Sequence, residues 1–202
     1  MKLLEEKILT DGEMLDGGVL KVNNFLNHMI DVELLNEMGK EFARLFKGLG
    51  INKLLTVEAS GIAIAAITAQ YFDGAKVLFA KKYQTRNLDP DTYSAQVMSF
   101  THGREYTIRV SKTFLGKEDR VLIIDDFLAN GEAAHGMIDL VRQAGATLCG
   151  VGICIEKAFQ KGGASLRASG VNLHSLAIVD MSGDTRALKF IEESELEKTQ
   201  KK

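Results

Sequence analysis

Apolar residues recur along the chain in two rhythms. Mostly apolar runs at residues 51–57, 75–80, 120–125, 147–155 and 171–179 have the length of buried strands. Between them lie segments of helical period. Leu34, Leu35, Met38, Phe42, Leu45 and Phe46 fall on one face, with Asp31 placed to cap the start and Gly48 and Gly50 ending the run. Residues 61–72 and 132–143 predict two further helices, the second closed by Gly145. Strand, helix and strand across residues 54–80 imply a parallel pair joined by a right-handed crossover. Four or five such strands with helices on both faces predict an α/β fold with a doubly wound, mostly parallel sheet.

Three stretches depart from this order. Residues 1–30 are broken by Gly12, Gly17 and Gly18 and predict an irregular hood, with one short strand at 19–22. Residues 93–100 and 106–111 alternate apolar and polar positions around Thr101-His102-Gly103-Arg104, which predicts a hairpin of half-exposed strands. With the polar segment before it, which holds Pro90, residues 83–103 are expected to form a flexible lid over a crevice. The charged residues 192–202 are expected to fray. With no repeat or low-complexity linker, all 202 residues form one expected domain.

Composition narrows the class. A hydrophobic content of 46% supports a full core, and 25 basic against 27 acidic residues give no global electrostatic case for nucleic acid. No run approaches the roughly 20 apolar residues of a membrane span, and the acidic, amphipathic first seven residues lack a signal peptide's apolar centre. A cytoplasmic protein with no membrane partner is expected. Cys149 and Cys154 lie an odd number of residues apart in one apolar run, which would place them on opposite faces of a strand as unbridged core residues.

The candidate chemistry is concentrated in Val121-Leu122-Ile123-Ile124-Asp125-Asp126-Phe127-Leu128-Ala129-Asn130-Gly131-Glu132-Ala133. A buried strand ends in two carboxylates, and a glycine-bearing turn then opens a helix. Carboxyl ends of parallel strands face a ligand crevice. The free N–H groups of the next helix favour an anion there. Paired acids repel a phosphate but suit hydroxyls and a divalent cation, so a sugar phosphate satisfies both halves of the site. Strand-end acids can also be simple caps; the complete run is more specific than that. A second strand-to-helix junction, Val57-Glu58-Ala59-Ser60-Gly61, is a weaker anion-loop signal. Lys81 and Lys82 follow the next strand, where they could be plain solvated lysines or could face the same crevice.

The first run resembles the signature of the type I phosphoribosyltransferases, which bind phosphoribosyl pyrophosphate. The resemblance implies that Asp125 and Asp126 hold the ribose hydroxyls as catalytic residues. It implies that Ala129, Asn130, Gly131, Glu132 and Ala133 wrap the 5'-phosphate, with Asn130 or the backbone supplying a contact that relatives often draw from threonine. Ala59, Ser60 and Gly61 would hold the pyrophosphate, with Lys81 and Lys82 supplying positive charge as it leaves. Mg2+ bound with the phosphoribosyl pyrophosphate, and not by the protein alone, is the implied cofactor. A homodimer is the implied assembly.

Lys157 follows the strand at 147–155, with Phe159 shortly after. In relatives that use 6-oxopurines a lysine here donates to the exocyclic oxygen. Lysine has no acceptor, so it suits a C6 carbonyl and not an amino group. Residues 19–31 resemble the hood of the bacterial xanthine phosphoribosyltransferases, and with the other motifs this likeness covers nearly the whole chain. It assigns Leu20 and Asn27 to xanthine, the amide donating to the C2 carbonyl and a backbone carbonyl accepting a ring N–H. The implied reaction joins N9 of xanthine to C1' of phosphoribosyl pyrophosphate, giving XMP and pyrophosphate in purine salvage. Hypoxanthine-guanine relatives carry an aspartate, placed to take a proton from N7, where this chain has Ala129. No general base is therefore named, an absence tolerable if xanthine, the more acidic purine, binds as its anion. The alternatives are the same chemistry on hypoxanthine or guanine, a non-catalytic purine-sensing regulator, or an RNA-binding regulator. The regulator would need a DNA-binding unit, and the first 50 residues carry no helix-turn-helix pattern.

Overall fold

Strand β7 (Arg120–Leu128) shows why residues 121–124 are all apolar. In the computed structural model, which describes residues 1–15, 17–82, 90–99, 104–181 and 188–199, both of its faces are covered. Leu122 and Ile124 pack into one core, and Val121 and Ile123 into the other. A strand buried on both sides needs no polar alternation.

The elements before it are α1 (Lys2–Asp11), β1 (Glu13–Leu15), β2 (Val19–Lys21), α2 (Val32–Leu45), β3 (Lys53–Val57), α3 (Ser60–Ala69), β4 (Lys76–Ala80), β5 (Thr92–Ser99) and β6 (Arg104–Ser111). After it come α4 (Glu132–Gln143), β8 (Thr147–Lys157), α5 (Gly162–Ala168), β9 (Leu173–Asp180), β10 (Lys189–Phe190) and α6 (Glu193–Thr199). The central sheet has the order β10-β9-β8-β7-β3-β4. Five strands run parallel, and β10 pairs antiparallel with β9 at one edge. Helices α1, α2 and α3 supply one core through Leu4, Ile8, Met38, Phe42 and Ile64. Helix α4 and the β5–β6 hairpin supply the other through Met137, Leu140, Val97 and Ile108. Among the described residues no helix is long and apolar enough to cross a membrane.

The expected parallel crossover is observed: β3 and β4 pair in parallel from Lys53 with Lys76 to Val57 with Ala80. The Asp31 carboxylate caps α2 by accepting from Leu34 N at 3.1 Å, and it also pairs with Lys7 at 3.2 Å. Asp31→Ala is expected to cost about 1 kcal/mol, the usual effect of losing such a cap, read as a lower urea midpoint at unchanged slope.

The hood differs from the irregular segment expected. Leu4 and Ile8, one turn apart, are both buried and seat α1 on the core, and β1 pairs with β2 from Glu13 with Lys21 to Leu15 with Val19. At the other end, Glu193–Thr199 is a helix where fraying was expected. Glu193 holds it in place, 3.6 Å from Arg167 and 3.7 Å from His174. The two cysteines are free, as expected, but they pack against the same core. A bulge makes the difference. Val121 pairs with Leu148 and Leu122 with Gly150, so Cys149 is the extra residue and the alternation resets. The hairpin has its expected alternation, with Ala95, Val97, Ile108 and Val110 buried on α4 and the other face outward. Of the segment expected to act as a lid, residues 83–89 and 100–103 lie outside the described residues.

Candidate functional site

The carboxyl ends of β3, β7 and β8 converge at one end of the sheet, and β7 carries the acids there. The strand runs past them to Leu128, three residues beyond the expected end at 125, pairing Phe127 with Ile155 and Leu128 with Glu156. Asp125 is 5% exposed. Burial, with the charge of Asp126 beside it, pushes its carboxyl well above the usual carboxylate range, and the nearby Lys82 charge pulls only partly against this. Asp126 is less buried. One of its oxygens accepts from Phe127 N at 2.9 Å and the other from Asn27 Nδ2 at 2.9 Å.

The anion loops flank these acids. Gly131 sits at φ 88°, a left-handed conformation that turns the chain from β7 into α4. The α4 N-terminus therefore opens toward the crevice with its first N–H groups free of side-chain caps. A cleft of about 180 Å³ is lined by Ala129, Asn130, Gly131, Glu132 and Ala133, by Phe127 of β7, and by Val97, Met98 and Tyr106 of the hairpin. The hairpin thus shares a wall with the turn at 129–133. Gly162 N donates to Ala129 O at 3.0 Å and ties the start of α5 beneath that loop. At the other junction the Glu58–Ala59 peptide is cis and Ser60 begins α3. A Cβ at Gly61 would overlap the Thr56 hydroxyl and stand 3.5 Å from Asp125 Oδ1, so only glycine lets this loop lie so close to the acids.

The structure divides the lysine pair. Lys82 N donates to a Glu58 carboxylate oxygen, and its ammonium lies 5.3 Å from the Tyr106 ring, close enough to Asp125 to act on its charge. Lys81 is bridged through its backbone to Arg109, and it lines a separate groove along the outer edge of β4 with Lys76, Phe79 and Phe114. Successive residues of an extended segment point to opposite sides, so within this chain Lys82 stands by the acids and Lys81 by the groove.

Lys157 ends β8, half-buried. Its Nζ donates to Gly18 O at 3.2 Å and stands 5.6 Å from the Phe127 ring, and burial lowers its pKa. A Cβ at Gly18 would come within 3.3 Å of the Phe159 ring, so the hood closes against the segment that follows β8. The Leu20 side chain is buried in the core, which leaves its backbone to meet a ligand. Asn27, expected to have a free amide, is engaged by Asp126. Glu58, Phe127, Tyr106 and Gly162 were missed by sequence reasoning as parts of the site. Only Glu58 and Phe127 had a signal there, since both lie inside the quoted motifs.

Two acids that suit hydroxyls, a helix N-terminus that suits an anion and a lysine that suits a carbonyl thus meet in an open α/β sheet. Such an arrangement has the chemistry to receive a sugar phosphate. Residues 23–162 match the family model described as "Phosphoribosyl transferase domain", and the chain belongs to the phosphoribosyltransferase family. Among curated relatives, "Xanthine phosphoribosyltransferase 2" of Clostridium botulinum (strain Langeland) is 58% identical over 180 residues, covering 89% of this chain and 95% of that protein. "Xanthine phosphoribosyltransferase" of Clostridioides difficile (strain 630) is 56% identical over 190 residues, covering 94% and 100%. Among solved structures, adenine phosphoribosyltransferase from Rhodothermus marinus superposes with a TM-score of 0.71 at 23% identity, over 90% of this chain and 100% of that one, a likeness of fold.

Proposed function

We propose that this chain is a xanthine phosphoribosyltransferase. N9 of xanthine attacks C1' of phosphoribosyl pyrophosphate, the C1'–O bond to pyrophosphate breaks, and the imidazole ring gives up one N–H proton. The products are XMP and pyrophosphate. The observation that carries this reading is the meeting, at one end of the sheet, of Asp125 and Asp126, the α4 N-terminus and Lys157. Relatives 56–58% identical over most of the chain bear the same name.

The residues divide the work by their chemistry. The acids accept from ribose hydroxyls, and the α4 N–H groups receive the 5'-phosphate. Ser60 and Gly61 N–H groups with Lys82 receive the pyrophosphate, where charge grows as the bond breaks. Lys157 donates to the C6 oxygen, and the Leu20 backbone with Asn27 meets the pyrimidine ring. Catalysis then rests on positioning and charge stabilisation, since Ala129 offers no proton acceptor. Mg2+ would supply charge neutralisation on the pyrophosphate. The oxygen donors of Asp125 and Asp126 suit such a hard cation, and among the described residues no three His, Cys, Asp or Glu side chains group around a metal position. A homodimer belongs to the same reading.

A panel of xanthine, hypoxanthine, guanine and adenine, each with phosphoribosyl pyrophosphate and magnesium, tests it. Xanthine is expected to have the highest kcat/KM and adenine none. Lys157→Ala is expected to lower the efficiency on every 6-oxopurine by roughly 10- to 100-fold, the loss of a hydrogen bond from a charged donor. Adenine as the best substrate would overturn the reading.

A further inference from the structure

Lys82 is tied to strand β6 of the hairpin at two levels. The backbone of Lys81 exchanges both of its hydrogen bonds with Arg109, each at 2.9 Å, which fixes the chain one residue before Lys82. The Lys82 ammonium then stands 5.3 Å from the centre of the Tyr106 ring, three residues earlier on the same strand. Tyr106 shares its face of β6 with Ile108 and Val110, which are buried in the core beneath α4, and its own ring packs against that core. The same ring lines the cleft at the α4 N-terminus. One aromatic side chain, rooted in the core, thus touches both the cleft beside the 129–133 turn and the lysine whose backbone is held by Glu58.

The kind of contact matters. Burial, with the charge of Asp125 nearby, raises the pKa of Tyr106, so the phenol is neutral and meets the ammonium with a π face. Among the described residues no carboxylate forms an ion pair with the Lys82 ammonium. A carboxylate would hold a lysine and cancel its charge. A ring face holds the lysine and leaves the charge available to an anion. The ammonium has three N–H groups, so those turned away from the ring are free to donate to phosphate oxygens. A four-carbon stem also samples many rotamers, and ordering it only on binding costs affinity.

We infer that Tyr106 is a positioning residue for the leaving group, its ring holding the Lys82 ammonium in place for pyrophosphate before substrate binds. The inference rests on the role of Lys82 in the proposed function. It gives the hairpin a task apart from covering the crevice: β6 sets the position of the charge that receives the pyrophosphate.

Inhibition by magnesium pyrophosphate and by ribose 5-phosphate, each competing with phosphoribosyl pyrophosphate, tests this. The first ligand reads the Lys82 end of the site and the second reads the acids and the α4 N-terminus. Tyr106→Leu is expected to raise the pyrophosphate Ki by roughly 3- to 20-fold, the range for losing one cation–π contact, and to leave the ribose 5-phosphate Ki within about twofold. Tyr106→Phe keeps the ring face and is expected to restore the pyrophosphate Ki to within about twofold of the parent. In a Lys82→Met background, Tyr106→Leu is expected to add less than about twofold, the non-additivity of residues that act through each other. A Ki does not depend on the amount of active protein, so partial loss of folded enzyme leaves the comparison intact. A phenylalanine variant as weak as the leucine one would assign the effect to the hydroxyl and overturn the inference. So would an equal loss for ribose 5-phosphate, which would mean that the ring shapes the whole cleft, or an undiminished effect without Lys82. A wild-type chain that prefers adenine but shows the expected pattern of Ki values would overturn the proposed choice of base and support this inference.

Discussion

Replacing Asp125 and Asp126 together by asparagine is expected to lower turnover by roughly 100- to 10,000-fold while raising the melting temperature. The first half follows from the site. Each acid lost removes a charged hydrogen-bond acceptor for the ribose, about 1.5–3 kcal/mol apiece, and each 1.4 kcal/mol is about tenfold. The second half follows from burial. Asp125 is 5% exposed and lies beside a second acid, which is why its carboxyl is raised well above the usual carboxylate range. A carboxyl raised on folding binds more protons folded than unfolded. Its contribution to stability is fully present below the unfolded carboxylate value and is lost as pH rises through the raised one. Asparagine at 125 carries no charge to desolvate, so the gain in melting temperature should widen from acid toward neutral pH. Calorimetry at several pH values with steady-state kinetics on the same samples reads both effects. A double variant that is less stable at neutral pH would show that the acids are structural, and near-normal turnover would remove them from the site.

The parts of this fold that were legible in the sequence are those whose cause is local. Helix α4 was read with its observed bounds because its apolar residues repeat at helical spacing between Gly131 and Gly145. Strands β3, β8 and β9 were read because they are buried for most of their length, and the edge strand β4 because its run is mostly apolar. Hence the doubly wound sheet was visible, and so was the end at which its site lies.

The parts that were missed depend on distant partners. Helix α1 has a weak amphipathic pattern, with only Leu4 and Ile8 buried, and it gains its place from the core beneath it. Helix α5 opens with Gly162 and Gly163, poor helix formers that give no local signal; Gly162 is there because its backbone meets Ala129 O. The division between Lys81 and Lys82 depends on which of the two residues pairs with Arg109. The Asn27–Asp126 bond joins segments that no periodicity connects. In the site, residue types were therefore legible, while the direction in which an amide or a lysine points was not.

The largest loss of stability from one substitution is expected for Arg167→Ala. Glu156, the residue before Lys157, is 2% exposed, and the Arg167 guanidinium grips both of its oxygens, at 2.6 and 2.8 Å, while Ser175 Oγ donates to one of them. Gly163 packs so close to this carboxylate that a Cβ there would overlap it. Nothing else charged among the described residues pairs with Glu156, so removing the guanidinium leaves a buried acid without its counter-ion. Breaking such a pair costs about 3–5 kcal/mol, a large part of the roughly 5–15 kcal/mol that holds a typical domain. For a chain of this size the melting temperature should fall by about 6–20 °C. The cost arises from the stranded charge more than from the lost attraction, and this gives a second measurement. Glu156→Leu with Arg167→Met fills the same space without charge and should recover most of the loss. Because Glu156 pairs in register with Leu128 and precedes Lys157, the single variant should also raise KM for xanthine and for phosphoribosyl pyrophosphate together. A melting temperature within about 1 °C of the parent would mean that Glu156 does not depend on Arg167. A double variant as unstable as Arg167→Ala would mean that packing, and not the stranded charge, sets the cost.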